Sequence, residues 1–157
     1  MNVDLENSNK RLKAGLVRLL RDNVTGWSTN SDHNVANVWP SSPPESAEDE
    51  FPRGAIDITE GEDFDLSVDL DVRLREVTVK IVAFAEAEGP AETLIDDVED
   101  AVVDYWDQLD SNGNNYTGDW TYRRVDGFTP LTENEGNKGD LKYNKSINIL
   151  FETVKVN

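Results

Sequence analysis

The hydrophobic positions of the chain fall into two helix-like blocks. In residues 4–26 and again in residues 91–109, apolar side chains recur mostly every third or fourth position, which predicts two amphipathic helices. We expect Gly26 to end the first helix and Pro90 to lie in the first turn of the second. The predicted apolar stripes are Leu5, Leu12, Leu16, Leu19, Leu20 and Val24, and then Leu94, Ile95, Val98, Ala101, Val102, Tyr105, Trp106 and Leu109.

Alternating apolar and polar positions predict strands between and after these helices. The apolar positions are even at Val72 and Leu74 but odd at Val77 and Val79, so we expect a bulge or tight turn near residues 75–76. The predicted strands are residues 35–39, 53–59, 76–85, 117–128 and 141–155. Segments rich in Pro, Gly or polar residues predict mobile loops near residues 40–50, 60–67, 110–116 and 132–140.

The order of these elements predicts the fold class. The predicted order is helix, short strand, strand, strand, helix, strand, strand. This order is typical of an α+β, two-layer domain, in which two helices cover one face of a small antiparallel or mixed sheet. A chain of 157 residues has the length of one domain with its own core, so we expect residues 1–157 to form one unit.

The charge of the chain is strongly negative. It has 32 acidic and 15 basic residues, a net charge of −17, and the acidic surplus is spread over strands, a helix and loops rather than held in one tail. Such a field repels phosphates and disfavours sequence-specific DNA binding. Dense carboxylates are typical of halophilic proteins, because at molar salt the Debye length falls to about 3 Å. The alternative is an acidic protein of ordinary salt conditions.

The first helix is the exception to this charge pattern. Its basic residues are explained either as a solvated face paired with nearby acids or as a docking face for an acidic neighbouring subunit. These residues are Lys10, Arg11, Lys13, Arg18 and Arg21.

The chain offers few residues for catalysis or metal binding. It has no cysteine and one histidine, His33, which excludes thiol nucleophiles, cysteine-rich zinc sites and two-histidine metal motifs. No nucleophile elbow, phosphate-binding glycine loop or zinc-protease motif occurs. We therefore expect no catalytic residue, no metal ligand, no cofactor and no enzyme activity.

The amino terminus lacks the features of a signal peptide and no segment is long and apolar enough for a membrane span, which predicts no membrane partner.

Four segments of the chain resemble a known family. They are Phe-Pro-Arg-Gly-Ala-Ile-Asp-Ile at residues 51–58, Leu-Arg-Glu-Val-Thr-Val-Lys-Ile-Val-Ala-Phe-Ala at 74–85, the helix at 91–109, and Arg-Val-Asp-Gly-Phe-Thr-Pro-Leu at 124–131. Their sequence and order resemble tail terminator proteins, also called tail completion proteins, of long-tailed double-stranded DNA viruses. With the acidic composition, the resemblance implies a virus of a halophilic archaeon. The Pro- and Ser-rich loop 40–50 and the acidic segment 60–71 depart from the family pattern.

The resemblance implies structural work in a virion. It implies a homo-hexameric ring in the tail or neck, assembled in the host cytoplasm, that caps the tail tube and joins it to the head–tail connector. Genome DNA would pass through the bore without sequence-specific binding. One alternative is another neck component, such as a head-completion or connector protein, or a relative of the tail tube. A small halophilic enzyme or ligand-binding module is the alternative of a different class.

A ring needs subunit contacts, and the sequence offers two sets of candidate residues. Trp39, Trp120 and Tyr122 lie in short or edge-like predicted strands and are candidate contact aromatics, although ordinary core packing also explains them. Electrostatic docking is the role that we expect for Lys10, Arg11 and Lys13. Open sheet edges could add a further contact by pairing strands between copies.

Overall fold

The chain folds into one sheet with two helices on it. A computed structural model describes residues 5–40, 44–47, 50–66, 72–116, 118–135 and 141–156. The sheet order is β1-β2-β3-β5-β4; β1 pairs parallel with β2, and all other pairs are antiparallel. The elements are α1 (Leu5–Asn23), β1 (Val38–Pro40), a 3₁₀ turn (Glu45–Ala47), β2 (Arg53–Asp65), β3 (Val72–Ala85), α2 (Glu88–Tyr105), β4 (Thr121–Glu135) and β5 (Leu141–Val156).

Both helices pack on the same face of the sheet, which confirms the α+β, two-layer fold. Odd-numbered residues of β3 and β5 lie opposite one another and point towards the helices, as in the pairs Val79 with Ile149 and Val77 with Phe151. Burying each side chain of this size stabilises the fold by about 1.5–3 kcal/mol. The helices and the residues that directly follow them supply Leu12, Leu16, Leu19, Leu20, Val24, Leu94, Ile95, Val98, Ala101, Val102 and Trp106 to the same core.

The prediction of a register break near residues 75–76 is wrong, because β3 is continuous. Its even-numbered apolar residues belong to the other face of the sheet, which the helices leave open. There Leu74 lies between Phe64 of β2 and Val154 of β5, so an apolar row crosses three strands. The register shift lies instead in β2, between Ile58 and Glu60.

Two segments predicted as loops are strands. Residues 60–65 belong to β2 and residues 132–135 to β4. The acidic residues 60–65 are tolerated in a strand because β3 supplies cations: Arg75 Nε lies 2.8 Å from Asp63 Oδ1 and Arg73 Nε 3.1 Å from Asp65 Oδ1. Of the remaining loop predictions, residues 41–43, 48–49, 67 and 136–140 lie outside the described residues.

The helix ends also differ from the prediction. α1 ends at Asn23, and Gly26 instead allows the two helices to approach: a Cβ there would lie 2.7 Å from Leu94 Cδ2. α2 ends at Tyr105, so the predicted buried stripe does not continue to Leu109. Tyr105 is 39% exposed and Leu109 60% exposed.

Candidate subunit interface

A groove runs between the outer side of α1 and the short strand β1. Its volume is about 530 Å³. Alanine, valine, proline and tryptophan carbons form its apolar floor, and four cations surround them. The residues that line it, called the basic groove below, are Lys10, Lys13, Ala14, Val17, Arg18, Arg21, Trp39 and Pro40. In a chain with a net charge of −17, such a concentration of cations is unusual.

Arg21 fixes the wall of this groove. Its guanidinium lies 4.6 Å from the centre of the Trp39 ring, a cation–π contact. It also donates hydrogen bonds to the carbonyl oxygens of Ala36 (3.0 Å) and Val38 (2.7 Å). Burial lowers the pKa of Arg21, but an arginine remains charged at neutral pH. Arg21 therefore joins α1 to β1 and positions the half-buried Trp39 ring.

Arg18 lies at the edge of the basic groove that is nearer to α2. It lies 3.1 Å from the Asp110 carboxylate and donates to the carbonyl oxygens of Asn115 (3.1 Å) and Tyr116 (3.0 Å), in the loop after α2. The backbone N–H groups of Asn114 and Asn112, together with Arg18, hold the pKa of Asp110 below its usual value. This edge of the groove therefore lies beside the α2 loop, and its other edge lies at the β1 end of the sheet.

The free side of α2 carries an acidic stripe. Glu92, Asp96, Glu99 and Val103 follow one another at spacings of four, three and four residues, which places them on one side of the helix. Glu92 and Asp96 are exposed, Glu99 is half-buried, and Val103 is 49% exposed although apolar. One turn further, Trp106 donates to the carbonyl oxygen of Trp120 at 3.1 Å, just before β4. The acidic stripe therefore lies on the β4 side of the molecule.

The basic groove and the acidic stripe lie on opposite flanks. Within the helix layer, α1 packs over β1 and β2, whereas α2 packs over β3, β5 and β4. Since β1 and β4 are the two ends of the sheet, the helix layer of each copy is basic at one flank and acidic at the other.

The structure brings together three of the six residues predicted as contacts. Lys10, Lys13 and Trp39 line the basic groove. Arg11 is exposed but lies two helical turns before Arg18, on the side that faces the α2 loop. Arg21 was predicted only as one of the five basic residues of a possible docking face and not among the six specific contacts, although its spacing from Lys10 and Lys13 placed it on the same side of the helix.

The other two predicted contacts, Trp120 and Tyr122, lie away from the groove. Trp120 is only 4% exposed, and its Nε1 donates to the carbonyl oxygen of Ser8 at 2.9 Å. Tyr122 is half-buried, with its ring centre 6.2 Å from that of Phe151. Both side chains therefore take part in core packing, the alternative role given above.

The open face of the sheet carries an acidic groove of about 490 Å³. Arg124 Nε lies 2.9 Å from Asp126 Oδ1, and this contact raises the pKa of Arg124. Within the described residues, no group of three or more histidines and carboxylates is arranged to hold a metal ion. This acidic groove is lined by Glu60, Gly61, Glu62, Glu76, Thr78, Arg124, Asp126 and Leu150.

Comparison with known proteins identifies a similarity in structure but none in sequence family. No protein family matches the sequence, and no curated protein matches it. A chain of the virion of a native gene transfer agent particle is similar in structure, with a TM-score of 0.43 and 16% sequence identity. The similarity covers 93% of this chain and 95% of that chain. Neither helix in the described part of the chain has the length and apolar content required to cross a membrane.

Proposed function

We propose that the protein is a structural virion component that forms a ring at the end of the tail tube, as a tail terminator does. The observation that supports this proposal is the opposite charge of its two flanks. A surface that fits a different surface on the next copy forms head-to-tail contacts, and such contacts close into a ring when the rotation allows. The element order agrees with the resemblance of residues 51–58 and 74–85 to this family.

Side-by-side copies would place the β4 edge of one next to the β1 and β2 edge of the next. β2 and β4 run antiparallel, so the strand direction suits such a neighbour. However, β4 has three register shifts and contains Pro130, features that interrupt a regular hydrogen-bond ladder at an edge. Side chains of the two flanks, rather than one continuous sheet, would therefore carry most of the contact.

The remaining parts of the proposal concern partners and location. The ring would be a homo-hexamer in the virion neck, with the tail tube protein on one side and the connector on the other, and it would assemble in the cytoplasm of a haloarchaeal host. Carboxylates of the open face, such as Glu60 and Glu62, would repel phosphates if they line the bore. Genome DNA would then slide through without sequence-specific binding.

Light scattering in about 1 M KCl, where the Debye length is about 3 Å, tests the ring directly. The expected particle has six times the chain mass of 17.6 kDa and a central hole in electron micrographs. Added tail tubes should carry one such ring at one end. A ring that binds only the connector would indicate another neck component. A particle that stays monomeric at every salt concentration, with tube and connector proteins present, would overturn the proposal.

A further inference from the structure

We infer that the basic groove of one copy receives the acidic stripe of the next copy. This inference rests on the proposed self-association and names the two surfaces that make it. The occupant is a second copy of this chain, because the chain itself carries both halves of the contact on opposite flanks. Closing each groove with the neighbour's stripe joins copies head to tail.

The two surfaces match in length. Lys10, Lys13, Val17 and Arg21 follow one another along α1 at spacings of three, four and four residues. The acidic stripe on α2 has spacings of four, three and four. Each stripe covers twelve positions, from 10 to 21 and from 92 to 103, so its ends lie eleven residue steps apart, which is about 16 Å at the rise of an α-helix. Two helices of this kind can lie along one another over their whole contact.

The two surfaces also match in chemistry. The groove offers cations around an apolar floor, which includes Val17 and the half-buried Trp39 ring. The stripe offers three carboxylates and Val103, which is 49% exposed. Docking would cover this valine with the apolar floor and place carboxylates beside the lysines. Ion pairs that lose contact with water are screened less by salt than exposed ones, so the contact can persist at high salt.

Paired charge reversals test this contact. Lys13→Glu places a carboxylate in the groove and lowers its charge by two, and Glu99→Lys places an ammonium group in the stripe and raises its charge by two; both side chains are half-buried surface groups. Each variant alone should assemble at least about tenfold more weakly than the unchanged protein, because the reversed side chain then meets a side chain of its own charge on the neighbouring copy. An equimolar mixture should recover assembly, because the reversed side chain of one variant then meets the reversed side chain of the other, and unchanged Lys13 meets unchanged Glu99.

The readout is native mass spectrometry of the mixture across a salt series. Only the head-to-tail pairing of these two surfaces predicts particles that contain equal numbers of the two variants. Matched controls are Arg11→Glu and Asp100→Lys, which change charge by the same amount at exposed positions outside the groove and the stripe. Both controls should assemble like the unchanged protein, and circular dichroism should show the same fold for all four variants.

The outcomes separate this inference from the proposed function. If Lys13→Glu alone or Glu99→Lys alone formed rings as well as the unchanged protein, the inferred contact would be overturned, but the proposal of a ring would stand. Weakened variants that do not recover on mixing would also overturn it. If the unchanged protein never forms a ring, the proposed function is overturned, and the contact that rests on it is overturned as well.

Discussion

At the scale of single residues, close packing at Gly54 gives a direct test of the core. A Cβ at this position would lie 2.9 Å from Cη2 of Trp27, whose Nε1 donates to the carbonyl oxygen of Leu20 at 3.2 Å. Since this buried ring cannot move freely, Gly54→Ala should lower the free energy of unfolding by about 1–3 kcal/mol in a denaturant titration. Gly89→Ala, with nothing within 4 Å, is the control and should not destabilise the protein. Equal stability of the two variants would contradict this packing.

Asp110 gives the second residue-scale prediction, which concerns acid stability. Its pKa is lowered in the folded state by backbone N–H groups and Arg18, so it stabilises the fold above its unfolded pKa of about 3.9. That contribution is lost as the pH falls through the lower folded pKa. Asp110→Asn should therefore be less stable than the unchanged protein at pH 6, and the difference should shrink below about pH 4. Thermal melts across pH check this, with Asp100→Asn as a control that removes an exposed carboxylate. A difference independent of pH would be inconsistent with it.

At the scale of elements, ion pairs join β2 to β3 near the end of their hairpin. Arg75 contacts both carboxylate oxygens of Asp63, with Nε at 2.8 Å and one terminal nitrogen at 3.1 Å. Arg75→Gln removes this two-point contact, so amide hydrogen exchange in residues 60–65 should become roughly tenfold faster. Arg123→Gln is the control, since it affects a more exposed pair with Glu152. Unchanged exchange in residues 60–65 would show that β2 forms without this pair.

The elements also show which features the sequence can predict. Both helices and the final strand were predictable because their apolar periods are long and uninterrupted. Residues 60–65 were not, because acids disfavour strands and the compensating cations, such as Arg75, lie in the neighbouring strand. The basic groove was half predictable: helical spacing joins Lys10 and Lys13, but Trp39 reaches them only because β1 pairs parallel with β2 beside α1.

At the scale of the whole molecule, the net charge of −17 predicts a strong dependence on salt. Carboxylates on the outer side of α2 repel one another at low ionic strength, and salt screens that repulsion. The melting temperature should therefore rise as KCl increases from about 0.15 M to about 2 M, where the Debye length is below about 3 Å. Differential scanning calorimetry measures the change.

A triple variant separates charge screening from general salt effects. Asp97, Asp100 and Asp104 are exposed on α2, outside the acidic stripe. Replacing all three with asparagine should make the melting temperature less dependent on KCl, while sucrose should stabilise both proteins equally. An identical KCl response in the two proteins would rule out repulsion on α2 as its cause.

The placement of unlike charges on opposite flanks has a consequence for how assembly stops. A pair of copies joined this way always leaves one basic and one acidic flank unused, so assembly does not stop at a dimer. Only a closed circle uses every flank, and its size is then set by the angle between neighbours rather than by concentration. Once closed, the particle offers no flank to another copy, so growth ends without any separate terminating factor.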